Sequence, residues 1–295
     1  QSIPHPDGRG VYRNLPLHDR AAVGYLTEKK GKQGAAEDSR VCSLPSVTVL
    51  TMAPTARILL IGGAILLATA CGSADTTRFP NVSTLNPDNA KEDGERLIAL
   101  SEGLHRLDRN QAPKRAVVIV HGWGSRGLEW VYPIVTLSGP EVATYFFRWD
   151  WNGCPGPAAD ALRTALASLP STAAGLTSVT VLGHSYGGLV THDLMSRGDT
   201  VADLPLTAHT IASPLSGINA LTGACSYEPS AALTNFNQWR TRHELDGAFK
   251  DMPVDPQVVT IDGSKVTLLP DTYRQRRLGH NWSISWVADE LAKVR

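Results

Sequence analysis

Val179-Thr-Val-Leu-Gly183-His184-Ser185-Tyr186-Gly187-Gly188 is the stretch of the chain that decides its fold. An apolar, β-branched run ends in the pattern Gly-x-Ser-x-Gly and passes directly into an amphipathic segment. This pattern is typical of a serine held on a strained turn between a strand and a helix. The turn packs backbone against backbone on both sides of the serine, so the two glycines meet a steric requirement. The pattern predicts a strand over Val179–Leu182 and a helix over Tyr186–Ser196.

The rest of the chain alternates between apolar strand patterns and helix patterns. The predicted strands are Ala116–Val120, Val142–Arg148, Leu206–Ala212, Leu233–Trp239 and Val258–Ile261, and the predicted helices are Lys91–Leu107, Ala158–Leu169 and Ile284–Lys293. Such alternation indicates an α/β fold, with a mostly parallel sheet covered by helices on both faces. Ligands of these folds bind beyond the carboxyl ends of the strands, which is where the polar motifs of this chain occur.

Composition excludes one class of function. The chain of 295 residues is 42% hydrophobic and 19% charged, with 28 basic and 28 acidic residues. This balance provides no electrostatic footprint for a nucleic-acid binder, so we expect no nucleic-acid partner. The basic cluster Arg274-Gln-Arg276-Arg277 is short, and we interpret it as a solvated loop.

Ser185 is the predicted nucleophile, and a serine hydroxyl needs a base within hydrogen-bond reach. When a serine occupies such a turn, the acid and then the histidine follow it along the chain. His280 fits the base best, because it lies in a loop between the last strand and the final helix. His192 and His209 fall in the helix behind the serine and in a strand, and His243 is the alternative base.

The acid has several candidates. It should follow the strand predicted at Leu233–Trp239, and Asp246 in Leu-Asp-Gly fits because Asp-Gly favours the turn that such a carboxylate requires. Asp251 and Asp255 are close alternatives. Asp262 takes the role if the strand count is wrong by one.

A glycine-rich loop, His121-Gly122-Trp123-Gly124, follows the strand Ala116–Val120. Glycines there let backbone N–H groups face a carbonyl oxygen without obstruction by a Cβ atom. The predicted oxyanion-hole donors are the N–H groups of Trp123 and Tyr186. The alternative is a plain glycine turn in which His121 is a buried hydrogen-bonding residue. Four tryptophans near strand ends could line an acyl site or pack in the core: Trp123, Trp130, Trp149 and Trp151.

From about Ala116 to Arg295 the chain resembles the α/β-hydrolase superfamily, and within it bacterial secreted lipases and esterases bearing His-Gly-x-Gly and Gly-His-Ser-x-Gly. The resemblance implies a serine hydrolase that cleaves carboxylic esters through an acyl-enzyme, with no metal or organic cofactor. The expected substrate is a small-molecule or lipid ester, and the expected state is a monomer. The connection Ser213–Ser230 allows a small flap but no lid domain. Alternative functions are an acyltransferase, amidase or thioesterase with the same triad, or a non-catalytic surface-binding lipoprotein.

The front of the chain resembles an export signal. A basic residue, Arg57, precedes the apolar run Ile58–Ala70 and then Cys71, a pattern similar to a bacterial lipobox. The sequence predicts three parts: residues 1–51 as a leader from upstream translation, residues 52–71 as a signal peptide with a lipidated Cys71, and residues 72–295 as the catalytic domain. The alternative is a disordered leader followed by a short buried helix. We expect an exported bacterial protein, either secreted or attached to the cell envelope.

Two cysteines remain in the predicted mature domain. An even number of cysteines in an exported protein suggests a disulfide, so Cys154 and Cys225 are predicted to pair.

Overall fold

The computed structural model describes residues 80–217, residue 225 and residues 227–294. The predicted leader, the predicted signal peptide with Cys71 and part of the predicted flap therefore lie outside the described residues. None of the helices in the described part of the chain has the length and apolar character needed to cross a lipid bilayer.

A mostly parallel sheet of eight strands forms the centre of the molecule, and a two-stranded hairpin lies apart from it. The strands are β1 Gly103–Arg106, β2 Arg115–Val120, β3 Val142–Arg148, β4 Ser178–His184, β5 Thr200–Val201, β6 Leu204–Ile211, β7 Phe236–Arg240, β8 Lys265–Leu268, β9 Thr272–Tyr273 and β10 Arg276–Arg277. The order across the sheet is β1-β3-β2-β4-β6-β7-β8, with β5 beside β6. β1 and β5 pair antiparallel with β3 and β6, whereas the other neighbours in the sheet are parallel.

Helices cover both faces of this sheet. They are α1 Ala90–Ile98, α2 Leu128–Leu137, α3 Pro155–Ala167, α4 Leu169–Thr172, α5 Tyr186–Ser196 and α6 Trp282–Ala292, with short 3-10 turns at Val82–Thr84, Pro87–Asn89 and His243–Leu245. α3 and α5 share one apolar cluster with the first face of the sheet, and α1, α2 and α6 share a second cluster with the other face.

β2 shows why its residues form a central strand. Val118 and Val120 belong to the first cluster, whereas Val117 and Ile119 belong to the second. Successive side chains of a strand point to opposite faces, so a strand covered on both faces needs a continuous apolar run. The predicted fold class, a mostly parallel sheet flanked by helices, is therefore confirmed. The connection between β6 and β7, residues 212–235, is too short for a lid domain, as predicted.

Local patterns locate the elements around Ser185 well. β3 and α5 have the predicted bounds, and β2, β4, β6 and α6 agree within two residues at each end. β7 begins three residues later than predicted, after Asn235 with a φ of 52°. α3 begins at Pro155, three residues before the predicted start at Ala158, because proline suits the first turn of a helix.

Two predicted elements are wrong. The helix predicted over Lys91–Leu107 ends at Ile98, and the segment Gly103–Arg106 pairs with β3 as the edge strand β1. Gly103 adopts a φ of 129°, which lies outside the helical region. The pairing with β3 therefore overrides the helical pattern.

The strand predicted over Val258–Ile261 is also wrong, because the last strand of the sheet is β8, Lys265–Leu268. The side chain of Val258 is exposed, and the carbonyl of Val259 accepts a hydrogen bond from the Arg240 side chain at 2.6 Å. The backbone of this segment is thus bound by a side chain of β7 instead of by a neighbouring strand.

The predicted disulfide between Cys154 and Cys225 is present, with the two Cα atoms 5.5 Å apart. Cys154 lies at the start of α3, and Cys225 belongs to the connection between β6 and β7. The bridge therefore joins two segments that follow the carboxyl ends of β3 and β6.

Candidate active site

Ser185 occupies a strained turn between β4 and α5. Its backbone has a φ of 53° and a ψ of −124°, a region that non-glycine residues rarely adopt. The N–H of Ser185 donates to the carbonyl of Ile211 at 2.9 Å, and its carbonyl accepts from the N–H of Gly188. Ser185 alone keeps partial exposure within the otherwise buried run from Val181 to Val190. The turn thus presents one hydroxyl at the surface of a packed core.

The glycines on both sides of Ser185 meet a steric requirement. A Cβ atom on Gly183 would lie 2.4 Å from the carbonyl oxygen of Gly187 and 2.2 Å from the hydroxyl oxygen of Thr191. A Cβ atom on Gly187 would lie 2.4 Å from the carbonyl oxygen of His121. Real side chains do not tolerate such distances, so the motif is needed to bring β4, α5 and the end of β2 together.

His280 and Asp246 form a buried pair. The Nδ1 atom of His280 lies 3.0 Å from the Oδ2 atom of Asp246, although 34 residues separate them in the chain. Asp246 has no exposed surface, and His280 is 7% exposed. Because the carboxylate binds Nδ1, the Nε2 atom of the ring is left to act as an acceptor. Two residues predicted as acid and base are thus brought together.

Asp246 is held by a complete set of donors. Its Oδ2 atom also accepts from the hydroxyl of Thr241, and its Oδ1 atom accepts from the N–H groups of Ala248 and Phe249 at 2.8 and 3.2 Å. Burial alone would raise the pKa of Asp246. The charge and hydrogen bond of His280, with the other donors, outweigh burial and hold the pKa below its usual range. Asp246 is therefore a stable buried carboxylate.

The alternative acids lie elsewhere. Asp251 is exposed and pairs with the ammonium group of Lys250 at 2.8 Å. Asp255 accepts hydrogen bonds from the backbone and side chain of Gln257. The N–H of Asp262 donates to the carbonyl of Ala231 in a bridge next to β7. Among the four predicted carboxylates, Asp246 is the one that contacts His280.

His280 packs against the turn that carries Ser185. Its ring lies 4.6 Å from the ring of His184, and its carbonyl oxygen lies 3.2 Å from His184 Nε2. Burial and the His280 charge lower the pKa of His184 well below its usual value, so His184 is a neutral hydrogen-bond donor here. No hydrogen bond joins the Ser185 hydroxyl to His280 in this structure. Such bonds are often long without a bound substrate and tighten when one binds.

The loop His121-Gly122-Trp123-Gly124 lies against the same turn. A Cβ atom on Gly122 would approach the Ser185 Cβ atom to 3.0 Å and the His184 carbonyl oxygen to 2.9 Å. This contact puts the backbone of the loop, which includes Trp123, beside Ser185. Ser185 directly precedes Tyr186, the residue with the other predicted donor. α5 begins at Tyr186, so the positive end of the helix dipole also points to this region.

His121 shapes this loop from inside the core. Its Nδ1 atom lies 3.0 Å from the carbonyl oxygen of Gly122, and its Nε2 atom accepts from the N–H of Trp149 at 3.4 Å. Burial lowers the pKa of His121 to about 3, with a smaller contribution from the nearby Arg148 charge. His121 is thus a buried, neutral hydrogen-bonding residue, as the alternative interpretation of a plain glycine turn expects. The same loop also adjoins Ser185, as the oxyanion-hole interpretation expects.

The other predicted candidates have structural contacts. His192 accepts from the N–H of Ser230, His209 accepts from the indole of Trp239, and His243 lies 2.7 Å from the carbonyl oxygen of Phe249. Trp130 and Trp149 are buried core residues, whereas Trp123 and Trp151 are half-buried beside the core.

Sequence reasoning missed the residues that support the pair. The carboxamide oxygen of Gln257 accepts from the N–H of Thr241, and the hydroxyl of Thr241 donates to Asp246. Glu129, in the first turn of α2, accepts from the Ser125 hydroxyl and lies close enough to His280 for their charges to interact. No sequence motif marks Thr241, Gln257 or Glu129, because their contacts with the pair form only when distant loops meet in the folded chain.

Three predicted parts of the site lie at one end of the sheet. A half-exposed serine, a histidine oriented by a buried carboxylate and a glycine loop meet at the carboxyl ends of β2, β4 and β7. The described residues contain no cluster of three or more His, Cys, Asp or Glu that could hold a metal ion.

One known family has a sequence model that matches most of the described chain. A model described as the alpha/beta hydrolase family matches residues 117–290. No curated protein matches the chain. Solved structures similar to this chain include three that each have a TM-score of 0.41. XC6422 from Xanthomonas campestris, described as a serine hydrolase without lid, is 13% identical, and the match covers 64% of this chain and 85% of that chain. Est1E from Butyrivibrio proteoclasticus is 13% identical, with 65% of this chain and 90% of that chain covered, and the Vlm2 thioesterase domain is 12% identical, with 64% and 96% covered.

The buried pair makes a direct spectroscopic prediction. The Nδ1 proton of His280 should give a far-downfield proton NMR resonance in the wild-type protein, because Asp246 binds it away from water. Asp246→Asn should abolish this resonance, and Asp251→Asn, which changes an exposed carboxylate, should retain it. The resonance is assigned by its loss in His280→Gln. A resonance that is unchanged in Asp246→Asn would contradict the pairing.

His121 makes a prediction about acid stability. The unfolded chain binds a proton at His121 below about pH 6.5, whereas the folded protein binds it only near pH 3. The unfolded state therefore holds more protons in this window, and the free energy of unfolding falls as the pH falls. His121→Gln should reduce this dependence by about 1.4 kcal/mol per pH unit between pH 6 and pH 4, measured by urea unfolding. Equal slopes in both proteins would show that His121 titrates normally.

Proposed function

The chain belongs to the alpha/beta hydrolase family, and on this premise we propose that it is a serine hydrolase that cleaves carboxylic esters through an acyl-enzyme intermediate. Ser185 is the proposed nucleophile, His280 the proposed base and Asp246 the proposed orienting acid. The observation that carries the proposal is the buried hydrogen bond between Asp246 and His280, on a loop packed against the turn of Ser185. Burying a carboxylate costs free energy unless it is paired and hydrogen-bonded. A buried carboxylate that binds an imidazole at the carboxyl ends of the strands is the arrangement that orients the base of a catalytic triad.

The first half of the proposed reaction forms the acyl-enzyme. The Ser185 oxygen attacks the ester carbonyl carbon while His280 Nε2 accepts the hydroxyl proton. Negative charge develops on the carbonyl oxygen, and the N–H groups of Trp123 and Tyr186 are the proposed donors to it. Each donor in such a site contributes about 3 kcal/mol. The tetrahedral intermediate then collapses, the ester C–O bond breaks, and His280 returns its proton to the leaving alcohol.

The second half releases the acid. A water molecule attacks the Ser185 ester while His280 again accepts a proton, and the regenerated serine hydroxyl receives that proton when the acid leaves. Asp246 stays ionised throughout and fixes the tautomer of His280. The depressed pKa of Asp246 supports this role, since it keeps the carboxylate charged when the imidazole becomes positive.

We also propose that the protein is exported, with lipidation of Cys71 attaching it to the cell envelope. The disulfide between Cys154 and Cys225 supports an oxidising compartment, because such bridges persist mainly outside the cytosol.

The test is the hydrolysis of 4-nitrophenyl acetate, octanoate and palmitate. The wild-type protein should release 4-nitrophenolate from at least one ester, and Ser185→Ala should lower kcat by about 10³-fold or more. The chain-length profile separates an esterase from a lipase.

The matched control is Ser196→Ala, which removes an exposed hydroxyl from the far end of α5. It should keep wild-type turnover, while circular dichroism verifies that both variants fold. Equal rates in the wild type and Ser185→Ala would remove Ser185 as the nucleophile. If neither protein turns over an ester, addition of alcohol or thiol acceptors tests for acyl transfer.

A further inference from the structure

A groove opens beside His280, and its residues have no role in the proposed bond cleavage. It lies between the start of α2, the β9–β10 hairpin and the start of α6. Its wall residues include Leu128, Glu129, Tyr132, Arg276, Asn281 and Trp282. Asn281 follows His280 directly in the chain, and Glu129 is close enough to His280 for their charges to interact. The groove is therefore a neighbour of the proposed base.

The hairpin that forms one wall is anchored to two helices. The hydroxyl of Tyr132 donates to Asp289 Oδ1 at 2.6 Å, and the hydroxyl of Tyr273 donates to Asp289 Oδ2. The guanidinium group of Arg274 lies 3.1 Å from Asp289 and stacks on Tyr132 and Tyr273, 4.7 and 4.9 Å from the ring centroids. The charge of Arg274 is thus compensated by Asp289 of α6.

The turn of this hairpin is strained. Arg274 and Gln275 have φ angles of 48° and 61°, and tight hairpin turns with positive φ at both central residues normally use Asn-Gly. Two residues with long side chains are strained in this conformation. Such a conformation persists where the surrounding contacts fix it, here through Asp289. Arg276 follows this turn directly and pairs with Tyr273 in the hairpin.

Arg276 supplies an uncompensated positive charge. Its guanidinium group is exposed and lies 4.9 Å from the ring centroid of Trp282, whose indole N–H donates to the carbonyl of Tyr273 at 3.3 Å. No carboxylate of the described residues forms an ion pair with Arg276. Across the groove, burial raises the pKa of Glu129, against the opposing effects of the Ser125 hydroxyl and the His280 charge. Glu129 therefore holds its proton more readily than an exposed glutamic acid.

We propose that this groove binds the part of the substrate that carries an anionic group, with Arg276 as the residue that selects it. The preferred substrates are then esters whose acyl or alcohol portion combines an apolar segment with a carboxylate. The apolar segment contacts Leu128 and Trp282, and the anionic end reaches the guanidinium group. This inference rests on the proposed function, since it assigns a substrate class to the same site.

Two matched pairs of esters test the proposal. The first pair places the charge on the acyl side: 4-nitrophenyl hydrogen adipate and its methyl-capped ester. The second places it on the leaving group: 4-acetoxybenzoate and its methyl ester. In at least one pair, the wild-type kcat/KM should favour the anion by about fivefold at low salt, the size expected for an exposed ion pair. Added NaCl should reduce this preference.

Variants separate the groove from general electrostatics. Arg276→Gln should abolish the preference, so that each anionic ester and its methyl ester are cleaved with similar kcat/KM, whereas Arg276→Lys should keep part of it. Arg109→Gln removes an exposed charge from the loop between β1 and β2, which precedes the amino-terminal end of β2, whereas the site lies at the carboxyl ends of the strands; this variant should change nothing. A wild type without preference for the anion in either pair, or a full preference in Arg276→Gln, overturns the proposal.

A binding measurement keeps this test independent of turnover. The monoanilide of adipic acid carries the same carboxylate on an amide, and calorimetry reports its affinity for wild-type protein and for Arg276→Gln. Weaker binding to Arg276→Gln supports the groove even if no ester is cleaved, in which case the proposed function alone fails. Equal affinity for both proteins overturns the groove and leaves the proposed function standing.

Discussion

The close approach of three backbone segments around Ser185 is the constraint on which the rest of the site depends. Gly183, Gly187 and Gly122 let the end of β4, the first turn of α5 and the loop after β2 meet without side chains between them. Since β2 and β4 are neighbours at the centre of the sheet, this contact fixes the serine relative to the whole core. The strained backbone of Ser185 persists because the contacts of the packed core hold it in this conformation.

The buried pair of Asp246 and His280 joins this centre to the last third of the chain. A buried carboxylate is costly unless it is paired and fully hydrogen-bonded, and Asp246 accepts from His280, Thr241 and two backbone N–H groups. Two loops that are distant in sequence must therefore close correctly before the site exists. The ring of His184 then connects the pair to the turn of Ser185.

Local sequence predicts the parts of this protein whose conformation is set locally. The Gly-x-Ser-x-Gly turn, the continuous apolar strands and the helix behind Ser185 follow from sterics and periodicity. The Asp-Gly turn favours Asp246 among the four candidate carboxylates. The helix predicted over Lys91–Leu107 is wrong because pairing of Gly103–Arg106 with β3 overrides a weak pattern. Thr241, Glu129 and the hairpin at Arg274 carry no local signal, since their roles arise from contacts with distant segments.

A fluorophosphonate probe tests the central claim most directly, because it reacts with an activated serine hydroxyl and requires no guess about the substrate. The folded protein should form one adduct, located on Ser185 by peptide mass spectrometry, and Asp246→Asn should label far more slowly while Asp251→Asn labels at the wild-type rate. An adduct on another serine, or no adduct on folded protein, would contradict the account that Ser185, His280 and Asp246 act as one unit.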